Sequence, residues 1–207
     1  MYTFLNKKDT FIHSPFFQEN FLNLNEIKKI KDGLNLIPYL DGSTSYQLEE
    51  NKKKDKYSKL ENYRLSKVKW INQEREWDWL FLKLKEYITN INNIHYNFNL
   101  SSIYENIQYT EYSSKYKGHY NWHMDIGGVY PFNLRKISLS IQLSSSDEYE
   151  GGDLEIFNGV SLEMPFIAPK TRGTICVFPS FLLHRVTPVT NGTRRSLVLW
   201  VGGSHLQ

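Results

Sequence analysis

Gly118-His119-Tyr120-Asn121-Trp122-His123-Met124-Asp125 is the stretch on which the reading of this chain turns. Its mix of aromatic and polar side chains suits a half-buried β-strand. On an extended backbone, side chains at i and i+2 leave the same face, so one metal ion can accept both His123 and Asp125. On a regular strand His119 shares that face, which leaves His119, His123 and Asp125 as a competing ligand set. A His-x-Asp tripeptide is common by chance, so its setting has to decide.

Working outward, short aromatic and β-branched runs with period-two alternation fill the chain after residue 94, separated by Gly, Pro, Asn and Ser. The strands this predicts cover residues 103–112, 119–125, 136–143, 153–157, 174–178, 184–189 and 195–201. Before them, Ile27, Ile30, Leu34 and Ile37 recur at helical spacing over residues 25–37, with Asn25 as the cap. A broader stripe of Trp77, Leu80, Phe81, Leu84, Tyr87, Ile88 and Ile91 predicts a second helix over 72–92. Residues 41–62, with Lys52-Lys53-Lys54, read as a long polar loop that is either solvated or a lid. Helices first and strands afterwards imply an α+β chain with a jelly roll supported by N-terminal helices. It is read as a single domain, 1–207, in which 1–95 is mainly helical support and loop and 96–207 is the catalytic core.

Composition narrows the function. The 207 residues carry a formal charge of only +3, with much of the excess in local runs, so no basic face fit to track nucleic acid is expected. Cys176 is the only cysteine, the start Met1 to Lys8 lacks the apolar core of a secretory signal, and no apolar run is long enough to span a bilayer. A cytoplasmic protein with no membrane partner is the expectation.

A third ligand for His123 and Asp125 is supplied by His184, which a strand-like apolar run delivers beside a turn. Two His and one carboxylate form the facial triad of non-haem Fe(II) oxygenases, which leaves coordination positions open for cosubstrate and oxygen. Farther on lies Gly192-Thr193-Arg194-Arg195-Ser196. A guanidinium at Arg194 suits the far carboxylate of 2-oxoglutarate through paired charge-assisted hydrogen bonds, while one arginine of the pair reads as a surface residue. Other features have plainer readings. Gly151-Gly152 lacks the lysine and helix of a phosphate loop and is a tight turn. Cys176 is a buried small hydrophobe, Asp153 and Glu155 sit on an exposed strand face, and His13, His95 and His205 have no partner at ligand spacing.

Taken together, these motifs resemble the prolyl 4-hydroxylase-like branch of the 2-oxoglutarate/Fe(II)-dependent dioxygenases. The resemblance runs through Tyr63-Arg64-Leu65-Ser66-Lys67-Val68-Lys69-Trp70, Ile107-Gln108-Tyr109-Thr110-Glu111-Tyr112 and the opening stretch. It continues through Arg135-Lys136-Ile137-Ser138, Tyr149-Glu150-Gly151-Gly152-Asp153-Leu154, His184-Arg185-Val186-Thr187-Pro188-Val189 and Gly192-Thr193-Arg194. It implies a double-stranded β-helix with iron at one open end. By position it implies His123, Asp125 and His184 as iron ligands, Arg194 as partner of the cosubstrate C5 carboxylate, and Tyr112 and Tyr120 in the same pocket, with Trp200 at its floor. The implied cofactors are Fe(II), 2-oxoglutarate as cosubstrate, O₂, and ascorbate as reductant.

The implied reaction is hydroxylation of an unactivated C–H bond, first of all on a prolyl residue in a peptide or protein, with succinate and CO₂ as coproducts. The alternatives are a free amino acid or other small molecule as substrate, and a non-catalytic jelly-roll binding module. Residues 126–133 correspond to a segment that borders the substrate in relatives.

Overall fold

Asn23 opens the first helix, two residues earlier than the spacing alone suggests. Its side chain accepts a hydrogen bond from the Glu26 N–H at 3.0 Å, and the Glu26 carboxylate accepts one from the Asn23 N–H at 2.8 Å. This reciprocal cap, rather than Asn25, fixes the start of α1 (Leu24–Leu34), which buries Ile27, Ile30 and Leu34. Helix α2 (Asp78–Ile91) follows a 3₁₀ turn at Arg75–Trp77 and buries Leu80, Leu84, Ile88 and Ile91. These positions come from a computed structural model, which describes residues 14–42 and 63–204. Residues 43–62 of the polar loop, with any lid they form, and His13 and His205 lie outside the described residues. Among those described, no helix is long and apolar enough to cross a membrane.

The strands are β1 (Phe16–Gln18), β2 (Leu40–Asp41), β3 (Arg64–Leu65), β4 (Lys67–Ile71), β5 (Leu100–Ser102), β6 (Ile107–Ser113), β7 (His119–His123), β8 (Arg135–Gln142), β9 (Tyr149–Gly151), β10 (Leu154–Ile156), β11 (Phe166–Ile167), β12 (Ile175–Pro179), β13 (His184–Val186) and β14 (Val189–Gly203). The larger sheet runs β1-β12-β8-β14-β6-β4-β2, with β5 and β9 also paired to β14; the smaller runs β11-β10-β13-β7-β3. The expected jelly roll, a double-stranded β-helix, is thus present. Four strands, β1 to β4, come from the part of the chain read as helix and loop. They are short, and only pairing with strands distant in sequence stabilises them, so local pattern does not reveal them.

Strand β8 shows how the fold makes room for a site. All eight of its residues are buried. Ile137, Leu139 and Ile141 join Leu197 and Leu199 of β14 and Ile175 and Val177 of β12 in one core with both helices. Each such side chain, fully removed from water, contributes about 1.5–3 kcal/mol. The alternate face carries Ser138, Ser140 and Gln142, which continue across the sheet as Arg194 and Ser196 of β14 and Gln108, Thr110 and Tyr112 of β6. A sheet buried on both faces is ordinarily apolar on both. Here the inner face is polar because it lines a cavity of about 460 Å³, closed on the other side by residues of β7, β10 and β13.

Smaller expectations resolve as follows. Gly151 and Gly152 form the tight turn with φ of 69° and 61°, and a Cβ at Gly151 would stand 2.2 Å from the Pro188 carbonyl oxygen, so only glycine fits. Cys176 is buried, and burial pushes its thiol pKa up. Asp153 and Glu155 are not a bare exposed pair: Lys170 lies 2.9 Å from Asp153, and Arg185 lies 2.6 Å from Glu155. His95 packs against Phe16, with ring centroids 4.7 Å apart and planes inclined by 32°.

Candidate active site

The strand that opened the sequence reading is not regular. Across the β7–β13 ladder His184 faces His123, whereas Val186 faces Tyr120, so three steps on β7 match two on β13. That β-bulge turns Tyr120, instead of His119, to the face shared with His123. The His119 ring nitrogen Nδ1 bonds the Lys117 carbonyl oxygen at 2.8 Å, and the alternative set of His119, His123 and Asp125 is not assembled.

His123, Asp125 and His184 do converge, with one ligand atom from each lying within 4.8 Å of the others. Nε2 of His123 is 3.7 Å from one Asp125 oxygen, and Nε2 of His184 is 3.4 Å from the other. On the far side of each ring, Nδ1 of His123 meets the Asn121 carbonyl oxygen at 2.7 Å and Nδ1 of His184 meets the Leu182 carbonyl oxygen at 2.9 Å. A carbonyl only accepts, so each Nδ1 carries a proton and each Nε2 is turned toward the centre. Strand β7 ends at His123, and Asp125 is held instead through its N–H, which donates to the Ser180 carbonyl oxygen at 3.0 Å in the turn before His184. The donor set fits a divalent transition ion, with two imidazoles and one carboxylate on one side of it.

Electrostatics keep that set ready. Burial first, and then the neighbouring His184, hold the His123 imidazole far below its usual value, at about 3. Burial alone would raise the Asp125 carboxyl, but His184, His123 and Arg135, with a hydrogen bond from Ser138, hold it down at about 2. The metal-free centre therefore offers a neutral imidazole and an ionised carboxylate throughout the neutral range. A consequence for stability follows. Unfolded His123 takes up a proton near its ordinary pKa of 6.5 and the folded form only near 3, so stability falls as pH drops below 6.5. Between about pH 7.5 and about pH 5.5 the metal-free protein should lose about 1.4 kcal/mol more than a His123→Gln variant, measured by urea unfolding. Equal losses in the two proteins would contradict the assignment.

Deeper in the cavity, Arg194 and Arg195 separate as the alternation of β14 requires. Arg195 turns outward to Glu111, 3.3 Å away. Arg194 is 4% exposed, lines the cavity and donates from Nη1 to the Ser196 hydroxyl at 3.3 Å. Among the described residues no carboxylate pairs with it. Burying an unpaired guanidinium costs several kcal/mol, on the order of the penalty for any lone buried ion, and an anionic ligand would offset this. Tyr112 sits opposite on β6, its ring 5.8 Å from the Arg194 guanidinium carbon, and Trp200 lines the same cavity.

Sequence reasoning assigned no role to Arg135, Glu105, Arg64 or Gln108, all of which line the cavity. Arg135 donates to the Asp125 carbonyl oxygen at 3.1 Å, is held by both carboxylate oxygens of Glu105, and lies between the rings of Trp200 (3.8 Å) and Phe132 (4.5 Å). It thereby pins the base of the 126–133 segment, in which Val129 and Tyr130 are exposed. The motif Arg135-Lys136-Ile137-Ser138 was the available signal, but a charged residue at a strand start reads as exposed until the sheet closes over it.

The chain is similar to known proteins in both sequence and fold. The family model for the 2OG-Fe(II) oxygenase superfamily matches residues 107–202. A PKHD-type hydroxylase of Rippkaea orientalis is 30% identical over 193 residues, covering 87% of this chain and 74% of that protein. A PKHD-type hydroxylase of Synechococcus sp. is 39% identical over 85 residues, where the match spans 40% of this chain and only 36% of the relative. Among solved structures, a Pseudomonas putida prolyl-4-hydroxylase aligns over 93% of this chain and 94% of its own at 18% identity and a TM-score of 0.65. A Trichoplax adhaerens prolyl hydroxylase, solved with a hypoxia inducible factor oxygen degradation domain peptide fragment, aligns over 92% and 84% at 17% identity and a TM-score of 0.71. Sequence kinship along most of the chain and a shared double-stranded β-helix place this protein in the 2OG-Fe(II) oxygenase superfamily, within its prolyl 4-hydroxylase-like group.

Proposed function

We propose that the protein is a 2-oxoglutarate- and Fe(II)-dependent hydroxylase whose substrate is a prolyl residue in a peptide or protein. The observation that carries this reading is one cavity holding both a convergent His-Asp-His set and a buried arginine without a carboxylate partner among the described residues. His123, Asp125 and His184 would hold the iron, and Arg194 with Tyr112 would hold the far carboxylate of 2-oxoglutarate. When bound, Fe(II) with 2-oxoglutarate and O₂ supplies the oxidation that turns C–H into C–OH, releasing succinate and CO₂.

The protein's own contribution is placement. Arg194 orients the cosubstrate along the cavity, and Ser138 and the Nδ1 contacts keep the ligand atoms aimed at the centre. Hydrophobic side chains at Leu154, Phe178 and Val186 exclude water from the buried end. A peptide substrate is supported by the exposed Met124 at the cavity, by the exposed Val129 and Tyr130 in the segment that follows Asp125, and by the peptide complex of the Trichoplax relative. A reducing compartment such as the cytoplasm suits a ferrous centre and a free Cys176 thiol.

The test is succinate formation from 2-oxoglutarate with Fe(II) and O₂, alone and with prolyl peptides, paired with mass spectrometry for the gain of one oxygen atom. Succinate with an oxidised peptide is the expected outcome. An oxidised free amino acid with untouched peptides would move the substrate to small molecules, and no iron binding with no turnover would leave a binding module.

A further inference from the structure

Three side chains form a stack against the candidate metal centre. Arg64 of β3 lies opposite Tyr120 of β7 in the ladder, with its guanidinium carbon 4.8 Å from the centre of the Tyr120 ring. The Tyr120 ring in turn lies on the His123 imidazole, with centroids 3.5 Å apart and planes inclined by 18°. Aromatic pairs ordinarily sit about 4.5–7 Å apart, so this one is close and nearly parallel. Arg64 is fixed from behind, donating from Nε to the Ser66 hydroxyl at 2.9 Å and from Nη2 to the Gln108 side-chain oxygen at 2.7 Å.

The imidazole of His123 is therefore restrained twice. The Asn121 carbonyl oxygen holds its edge at Nδ1, and Tyr120 covers one of its faces. Rotation about the Cβ–Cγ bond, which would swing Nε2 away from Asp125, has to break both contacts. The β-bulge in β7 is what makes the stack possible, because a regular strand would put Asn121 opposite Val186 and leave Tyr120 on the other face.

We infer that Tyr120 is a positioning residue that acts through its ring, not its hydroxyl, and that Arg64 backs it, so that the pair fixes the plane in which His123 presents Nε2. This rests on the reading of His123 as a metal ligand, and it assigns Tyr120 a duty different from contact with the cosubstrate. Residues that orient a ligand from behind typically change metal affinity by about tenfold to a hundredfold when lost.

The test measures binding of Mn(II) alone, from the loss of its free-ion paramagnetic resonance signal, together with the melting temperature of each metal-free protein. Tyr120→Phe keeps the ring and should bind within about threefold of the parent, whereas Tyr120→Leu should bind about tenfold to a hundredfold more weakly. Arg64→Met, which keeps bulk and drops the guanidinium, should fall between them. Equal losses for Tyr120→Phe and Tyr120→Leu would assign the work to the hydroxyl and overturn the inference. So would a lowered melting temperature with Mn(II) affinity intact. If Tyr120→Leu does not fold, Arg64→Met decides, and parental Mn(II) affinity in that variant overturns the inference. A parent protein that binds no Mn(II), or a His184→Ala variant that binds as the parent does, would instead sink the metal-site reading beneath it.

Discussion

Replacing His184 by alanine should abolish Fe(II)-dependent succinate formation and weaken Mn(II) binding by more than about a hundredfold, beyond what loss of an outer partner brings. His184 is 5% exposed, and its Nε2 is one of three candidate donors at the centre, so its removal would leave only two to hold an ion. The lost donor cannot be replaced locally. His119, the nearest histidine in sequence to the other ligands, is turned off that face by the bulge in β7. The metal-free variant should remain folded, because the two helices and the outer face of the larger sheet carry the main core, which does not include His184. Retention of a tenth of the parental activity in a folded His184→Ala protein would end this assignment.

The second large effect concerns Arg194. Arg194→Met should raise the 2-oxoglutarate concentration for half-maximal activity by about tenfold to a hundredfold or more, since hydrogen bonds to a charged group contribute roughly 1.5–3 kcal/mol each. Its effect on the empty protein should run the other way. In the metal-free state the guanidinium is 4% exposed with Ser196 as its hydrogen-bond partner, so methionine at that position should leave the melting temperature unchanged or higher. Weaker cosubstrate binding with no loss of stability is the signature of a residue kept for its ligand. A half-saturation shift of less than about threefold, or a stability loss as large as the binding loss, would show that Arg194 serves the fold instead.

How much of this was legible depended on whether a feature is local. The alternation Ile137, Leu139, Ile141 gave the face of β8 that meets the helices, and the stripe Leu80, Leu84, Ile88, Ile91 gave the buried side of α2. His123, Asp125 and His184 were legible because metal chemistry restricts which residue types can serve, and two of them are nearly adjacent. Burial of polar side chains was not legible. Ser138, Ser140, Gln142, Arg135 and Arg64 look like surface residues in one dimension, and only the closing of two sheets around a cavity puts them inside. The bulge was hidden for a related reason: a ladder that gains a residue on one strand is a property of the pair, so His119 and Tyr120 exchange roles without a mark in either strand alone. The strands β3 and β4 were likewise missed, although Arg64 and Lys67 to Trp70 lay within the quoted motif, since their partners lie on β6 and β7.

Strand β8 has one face packed on the helices and one turned to the cavity, and these faces answer to different demands. A change at Ile137 or Ile141 is judged by whether the chain still folds, and a change at Ser138 or Ser140 by what fits beside the candidate metal centre. Because neighbouring positions alternate between the two, the same eight residues can drift toward a new substrate along one side while the other holds the architecture still. Chemistry can thus be retuned in this barrel without renegotiating its stability, one residue in every two.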